Sequence, residues 1–143
     1  MRPPLRPAFP PLAAMARILI VDDEEMDRLL SSTILRDAGH ELLFAADGET
    51  ALDLYARHDV DLVITDLAMP RVNGLRLIRE LREMDPGVAI IAVTGVSPEH
   101  LPTAEDLGAD QTFYKPLEPP ALLETVDAVL KERQVDWDSI WGR

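Results

Sequence analysis

Short runs of apolar residues alternate along the chain with longer stretches whose apolar residues recur every three or four positions. The continuous runs predict buried strands at 17–21, 41–45, 60–65, 88–93 and 111–114. The helically spaced stretches lie between the strands and predict helices at 25–38, 49–57, 74–84 and 119–133, with a further one after Ser97. Five strand–helix units in strict alternation predict an α/β fold with a parallel sheet covered by helices on both faces.

Cap and turn residues mark the ends of several predicted helices. Gly39 is placed to end the first helix in the left-handed conformation, and Asn73 is placed to cap the third. Ser97 and Pro98 form a good helix start, but Pro102 then removes a hydrogen bond inside the same segment. The fourth helix is therefore predicted to be short or distorted, with a restart at Pro102 as the alternative.

The size and composition are those of one soluble globular domain. The chain has 143 residues, of which 47 % are hydrophobic and 28 % charged, and these are enough for a single core. The net charge of −12 argues against binding to nucleic acid or to an anionic membrane surface. The sequence contains no cysteine, which excludes disulfides and thiol chemistry. No apolar run approaches the ~20 residues of a membrane span, so the cytoplasm is the expected compartment.

The composition changes at both ends of the chain. Residues 1–14 contain five prolines and are predicted to be disordered or extended. A secretory signal is the rival interpretation, which the prolines disfavour because they interrupt any apolar region. Residues 15–133 then form the domain, and translation from Met15 would give all of it. Residues 1–14 are therefore interpreted as either a non-native extension or the result of a misassigned start. Residues 134–143 form a tail in which Trp137 and Trp141 either pack on the body or dock a partner.

Three acidic residues stand directly after two of the predicted strands. Asp22 and Asp23 follow the first strand, and Asp66 follows the third. Parallel strands that both end in acid place their carboxylates along one edge of the sheet, where the negative charges repel each other unless a cation lies among them. Oxygen ligands with positions left for water suit Mg²⁺. We therefore predict a magnesium site at this edge of the sheet.

The residues at four predicted strand ends together resemble the receiver domain of bacterial two-component response regulators. They are, in chain order, the acidic pair, the segment from Asp66 to Gly74, Thr94 at the fourth strand end and Lys115-Pro116 after the fifth strand. The resemblance covers roughly residues 16–133 and implies a doubly wound, flavodoxin-like sheet of strand order 2-1-3-4-5, which alternation alone does not give. Ligands of such sheets bind where the winding reverses, and the three acids lie there.

The resemblance implies a role for each acidic residue. Asp66 is the implied phosphoacceptor, since a carboxylate can attack phosphorus and hold the phosphoryl group as an acyl phosphate. Asp23 and the side chain of Asp66 are implied as direct Mg²⁺ ligands, and Asp22 as a ligand acting mainly through water. The main-chain carbonyl of Ala68 is the implied third protein ligand.

Further positions are assigned by the same resemblance. Lys115 is expected to pair with Asp66 and then with the phosphoryl group, and Thr94 is the implied switch hydroxyl, which can donate to a phosphoryl oxygen. The peptide bond between Lys115 and Pro116 is expected to be cis. One position departs from the family, because Thr112 stands where receivers commonly carry an aromatic residue that swings inward on activation.

The function that the resemblance implies is that of a stand-alone, single-domain response regulator. The domain would accept a phosphoryl group from a sensor histidine kinase or a histidine phosphotransfer protein. Because no effector region follows residue 133, it would act through an unidentified protein target or relay the phosphoryl group to a histidine phosphotransfer protein. Its chemistry would be limited to its own phosphorylation and dephosphorylation, so it is not expected to be an enzyme acting on other substrates.

Two other functions compete with this one. An aspartyl-phosphate phosphatase or phosphotransferase of the haloacid-dehalogenase-like type needs a second carboxylate two residues after the nucleophile, where this chain has Ala68. A flavodoxin-like cofactor binder needs a phosphate cradle in the first loop, where the acidic run 22–25 would repel phosphate. Taken singly, the site residues have ordinary explanations as a helix cap, a surface lysine or a strand threonine, and their combination favours the receiver function. The three histidines are scattered and are predicted to be surface residues without a catalytic role.

Overall fold

The structure is a computed structural model that describes residues 16–69, 73–96 and 98–141, with side chains as far as residue 132. The strands are β1 Arg17–Val21, β2 Glu41–Ala45, β3 Leu62–Asp66, β4 Ala89–Thr94 and β5 Gln111–Tyr114. The helices are α1 Glu25–Asp37, α2 Gly48–Arg57, α3 Gly74–Met84, α4 Leu101–Leu107 and α5 Pro119–Trp141, with a 3₁₀ turn at Pro98–His100. The predicted extension 1–14 and the two tryptophan side chains lie outside the described residues.

All five strands are parallel and lie in the order β2-β1-β3-β4-β5, which confirms the predicted fold class. The pairing aligns the carboxyl ends of neighbouring strands. Val21 pairs with Thr65, Asp66 with Val93, and the last residue of β4 with Tyr114. Residues that directly follow these strands therefore meet at one edge of the sheet.

Two apolar cores cover the sheet because its central strands are buried on both faces. One face packs α1 and α5 against the sheet, through Leu35, Leu122 and Val126. The other face packs α2, α3 and α4, through Ala51, the buried leucines and isoleucine of α3, and Ala104. Within the described residues, no helix is long and apolar enough to cross a membrane.

The predicted elements are all present, and the differences lie at their ends. The fourth helix is short, as predicted: the chain makes a 3₁₀ turn first, and Pro102 then occupies the second position of α4, where its missing N–H is tolerated. The left-handed residue at Gly39 is confirmed by a φ of 95°. Helix α5 continues past residue 133 to Trp141. The prediction that all histidines are exposed is wrong for His40, which is buried between the start of β1 and α5 and accepts the Ala16 N–H on Nδ1 at 3.3 Å.

The first residue of α3 lies very close to the end of β3. The N–H of Gly74 donates to the carbonyl of Leu67 at 3.1 Å. A Cβ added to Gly74 would lie 2.3 Å from the carbonyl oxygen of Asp66 and 2.5 Å from the Cα of Leu67. Only glycine allows this approach, which fixes the start of α3 against the end of β3.

Candidate functional site

Four adjacent strands bring the predicted site residues to one edge of the sheet. Asp22 follows β1, Asp66 is the last residue of β3, Thr94 is the last residue of β4, and Lys115 follows β5. The two aspartates are each 7 % exposed, and the threonine is fully buried. A pocket of about 300 Å³ opens here, lined by both aspartates and by Lys115 and Pro116. The parallel register thus gathers groups that lie far apart in sequence.

The two buried aspartates are held in the same way. The N–H of Glu24 donates to Oδ1 of Asp22 at 3.0 Å, and the N–H of Ala68 donates to Oδ1 of Asp66 at 3.0 Å. In both residues Oδ2 accepts a hydrogen bond from the Lys115 ammonium, at 3.1 Å and 3.2 Å respectively. Each carboxylate is therefore fixed by the main chain through one oxygen and directed towards Lys115 through the other.

The carboxylates of Asp22, Asp23 and Asp66 form a group that can hold a cation. One oxygen from each lies within 4.8 Å of the others. Asp22 and Asp66 are buried and Asp23 is exposed, so one side of the group faces solvent and leaves room for water ligands. A donor set made only of carboxylate oxygens fits a hard cation such as Mg²⁺ better than a soft metal.

Lys115 contacts a third acid that the sequence analysis missed. Its Nζ lies 2.6 Å from Oδ2 of Asp27, closer than to either of the other two carboxylates. Asp27 lies in the first turn of α1, the helix that begins shortly after the acidic pair at the end of β1. An acid in the first turn of the predicted first helix, close behind the acidic pair, was the available signal, but nothing in the sequence indicated that Lys115 would reach this helix.

Burial and neighbouring charges shift the pKa of two groups at this site. Burial raises the pKa of Asp22 above its usual value, although the hydrogen bond from Glu24 and the charge of Lys115 act against this rise. Burial alone would lower the pKa of Lys115, but the contact with Asp27 and the charges of Asp22 and Asp66 outweigh burial and raise it. The ammonium therefore stays charged in every physiological condition.

Gly95, directly after β4, leaves space for the side chain of Lys115. A Cβ added to Gly95 would lie 3.2 Å from Cδ of Lys115, so the absence of a side chain there leaves space for the lysine stem. The N–H of Val96 donates to the hydroxyl of Thr94 at 3.4 Å. The peptide bond between Lys115 and Pro116 is cis. Thr94 and Lys115 are also joined through their main chains, because the lysine N–H donates to the threonine carbonyl at 2.8 Å.

Thr112, which replaces the usual aromatic residue, is tied to the neighbouring helix. Its hydroxyl donates to Oε2 of Glu105 on α4 at 3.3 Å. Tyr114, two residues later, is 53 % exposed at the end of β5. Of the two aromatic side chains of β5, Phe113 packs against the core on the face covered by α1 and α5, whereas Tyr114 points towards solvent. The position of the usual aromatic residue carries a small polar contact instead.

The sequence is similar to those of known response regulators. The sequence profile of the response regulator receiver domain matches residues 18–127. Protein CcdB of Bacillus subtilis is 37 % identical over 118 residues, which cover 81 % of this chain and 98 % of that protein. The chemotaxis protein CheY of Halobacterium salinarum is 33 % identical over 115 residues, which cover 80 % of this chain and 96 % of that protein.

Other relatives are much longer than this chain. The sensory/regulatory protein RpfC of Xanthomonas campestris is 34 % identical over 125 residues, but the chain spans only 17 % of its length. A probable transcriptional regulator, ycf27 of Porphyridium aerugineum, is 38 % identical, and the chain spans 49 % of it. In these longer proteins the similarity concerns one part of the molecule.

Solved structures show the same architecture. The CheY-like receiver domain protein of Methanospirillum hungatei superposes with a TM-score of 0.81 at 31 % identity, covering 85 % of this chain and 98 % of that one. The response regulator TrrA of Thermotoga maritima, solved in complex with Mg²⁺ and BeF, superposes with a TM-score of 0.75 at 33 % identity. That match covers 80 % of this chain and 99 % of the TrrA chain.

Proposed function

Because the chain belongs to the response regulator receiver domain family of two-component signalling, we propose that Asp66 accepts a phosphoryl group and that its phosphorylation is the signal. The observation that carries this proposal is the placement of the Asp66 carboxylate. The main-chain N–H of Ala68 holds one of its oxygens, and the Lys115 ammonium lies 3.2 Å from the other, at the mouth of a pocket. A carboxylate so fixed is already oriented towards the pocket when a phosphoryl donor arrives.

The proposed reaction is a simple displacement at phosphorus. A carboxylate oxygen of Asp66 forms the new phosphorus–oxygen bond while the bond from phosphorus to the donor breaks, and the donor leaves with the bonding electrons. The donor atom is a histidine nitrogen in a kinase or phosphotransfer protein, and an acetate oxygen in acetyl phosphate. Lys115 then pairs with the phosphoryl oxygens, and the hydroxyl of Thr94 donates to them from the neighbouring strand end.

We further propose that Asp22, Asp23 and Asp66 hold Mg²⁺ together with the main-chain carbonyl of Ala68. The three carboxylates fit this role because their oxygens lie within 4.8 Å of one another and one side is open to water. When bound, the cation would neutralise charge on the carboxylates and on the phosphoryl oxygens. Asp66 would thus serve both the cation and the phosphoryl group, with its second oxygen kept in place by Ala68.

A protein donor needs a surface beside the pocket, and α1 offers one. Met26, Leu29 and Leu30 of α1 are 72 %, 57 % and 55 % exposed, although they are large and apolar. Leu30 also lines the pocket that contains Asp66. We propose that a helix of the histidine-bearing donor packs on these three residues and so brings its phosphohistidine to Asp66. A small-molecule donor would not need this surface.

The proposal is tested by supplying both kinds of donor. With acetyl phosphate and Mg²⁺ the chain should gain one phosphoryl group, and Asp66→Asn should gain none, while Asp53→Asn on the exposed face of α2 should behave as the original protein. A panel of purified, phosphorylated histidine kinases and phosphotransfer proteins then supplies the protein donor. Labelling of Asp66→Asn at the original rate would overturn the assignment of the phosphoacceptor.

The donor surface is tested separately with a matched pair of variants. Leu29→Asp should reduce transfer from a phosphohistidine protein by about tenfold or more, because it places a charge in an apolar contact. Its labelling by acetyl phosphate should not change. Met84→Asp is the control, since Met84 is 48 % exposed on α3 and lies on the opposite face of the sheet. Equal effects of the two variants would contradict the docking proposal and leave the phosphoacceptor assignment standing.

A further inference from the structure

Asp27 makes the shortest of the three contacts that occupy the Lys115 ammonium. The Nζ atom lies 2.6 Å from Asp27, 3.1 Å from Asp22 and 3.2 Å from Asp66. A lysine ammonium has three N–H donors, and three carboxylates therefore take all of them. A phosphoryl oxygen can bind this lysine only if one of the three carboxylates gives up its hydrogen bond.

Asp27 is the carboxylate whose contact can be given up most readily. The side chains of Asp22 and Asp66 are 9 % and 8 % exposed, and both belong to the group of acids that can hold a cation. The side chain of Asp27 is 34 % exposed and lies outside that group. Water can therefore solvate Asp27 once the lysine leaves it, whereas Asp22 would lose a partner inside the protein, and Asp66 needs the lysine close by while it receives the phosphoryl group.

We propose that Asp27 is a positioning residue that holds the Lys115 ammonium in the unphosphorylated state and so limits how readily the phosphoryl group is accepted. The inference rests on the proposed phosphorylation of Asp66. Four carboxylates and one ammonium give this site a formal charge of −3, and a bound divalent cation would leave −1. The entering group is an anion. Asp27 therefore disfavours binding of the phosphoryl group in two ways. Its negative charge repels the entering anion, and its hydrogen bond occupies the Lys115 ammonium.

Binding of beryllofluoride, an unreactive mimic of the phosphoryl group, measures this effect directly. In the full chain at saturating Mg²⁺, ¹⁹F NMR should show that Asp27→Asn binds beryllofluoride about three- to tenfold more tightly than the original protein, the range for one partly exposed charge interaction. Asp27→Glu keeps the charge and should stay within about twofold of the original affinity. Asp53→Asn removes an exposed carboxylate remote from the site and should change nothing.

A spectroscopic measurement separates positioning from a merely structural role. The sequence has two lysines, Lys115 and Lys131, so a lysine-selective ¹⁵N ammonium spectrum contains at most two signals, and Lys131→Arg assigns them. In the original protein the Lys115 signal should shift when beryllofluoride binds, as the contact with Asp27 is exchanged for fluoride. In Asp27→Asn the signal before beryllofluoride addition should already lie part of the way towards the bound position.

The outcomes distinguish this inference from the function on which it rests. Unchanged or weaker beryllofluoride binding by a folded Asp27→Asn, or a Lys115 signal that Asp27→Asn does not move, would overturn the role of Asp27 alone. Asp27→Ser gives a second neutral variant should the asparagine protein unfold, and the same tighter binding is expected of it. Absence of beryllofluoride binding by the original protein would overturn both the inference and the proposed function.

Discussion

Replacing Gly74 by alanine is expected to destabilise the domain, because the first residue of α3 has no space for a side chain. The added Cβ would lie 2.3 Å from the carbonyl oxygen of Asp66 and 2.5 Å from the Cα of Leu67. Both atoms belong to the main chain and cannot rotate away. To restore a separation of 3.0 Å, the shortest that real Cβ atoms show, α3 and the end of β3 have to separate by about 0.7 Å.

The size of the effect follows from the cost of overpacking. Forcing a methyl group into a packed site costs about 1–3 kcal/mol, and two contacts below 3.0 Å with main-chain atoms place this substitution at about 2–3 kcal/mol. The usual gain from replacing a helical glycine by alanine, about 1 kcal/mol, leaves a net loss of about 1–2 kcal/mol. For a domain of this size, each kcal/mol lowers the melting temperature by about 4 °C, so a decrease of about 4–8 °C is expected. Beryllofluoride binding should weaken as well, because the displaced main chain carries Asp66.

Thermal unfolding followed by circular dichroism measures the change. Gly87→Ala is the matched control, because a Cβ at Gly87 meets only the side-chain oxygen Oδ1 of Asp85, at an ordinary 3.6 Å. Its melting temperature should stay within about 2 °C of the original. If Gly74→Ala melted as high as this control and bound beryllofluoride normally, the close approach of α3 to the phosphoacceptor strand would not exist as described.

Three further predictions concern metal binding, pH and signal output. Mg²⁺ should raise the melting temperature by mass action, and Asp23→Asn should abolish the rise; a full rise in that variant would remove Asp23 from the cation site. Burial lowers the pKa of His40 below its usual value of 6.5. The unfolded chain therefore binds a proton on His40 more readily than the folded protein does, so the free energy of unfolding should fall as the pH drops below about 6.5. Urea unfolding at about pH 7.5 and about pH 5.5 should show a smaller loss in His40→Gln than in the original protein, and an equal loss would refute the argument. Beryllofluoride should slow hydrogen exchange first in residues 98–110 and less in 111–114, because Thr112 stands where receivers commonly carry the aromatic residue that moves on activation. A change confined to residues 25–57 would contradict the proposal that the signal leaves through the loop after β4 and α4.

The fold class could be predicted from the sequence because the strand pattern, the helix pattern and their alternation all indicated the same architecture. The apolar runs give the strands, strict alternation gives a parallel sheet, and acids after the first and third strands meet at one edge once the strand order is known. The strand order itself came from the resemblance, since alternation is compatible with several windings of the sheet. The short α4 followed from Pro98 and Pro102, whose effects on a helix are local and therefore visible in the sequence.

The features that escaped prediction depend on contacts between distant elements. Asp27 and Lys115 are 88 residues apart and meet only because α1 packs beside the loop after β5. The burial of His40 likewise depends on where the start of β1 and α5 come to lie, although an exposed histidine is the ordinary expectation for a turn. The close approach of Gly74 to β3 could not be inferred from a glycine at a helix start. Local patterns specify elements, whereas these contacts arise only when the elements pack.

The most direct test of the account is the chemical identity of the phosphorylated residue. The full chain is incubated with acetyl phosphate and Mg²⁺, and the product is treated with borohydride, which reduces an aspartyl phosphate to homoserine. Peptide mapping by mass spectrometry then locates the modified residue. We expect homoserine at position 66, in amounts that depend on Mg²⁺ and fall in Lys115→Ala. Homoserine at position 22, 23 or 27 instead, or a phosphoryl group on any other residue, would contradict it.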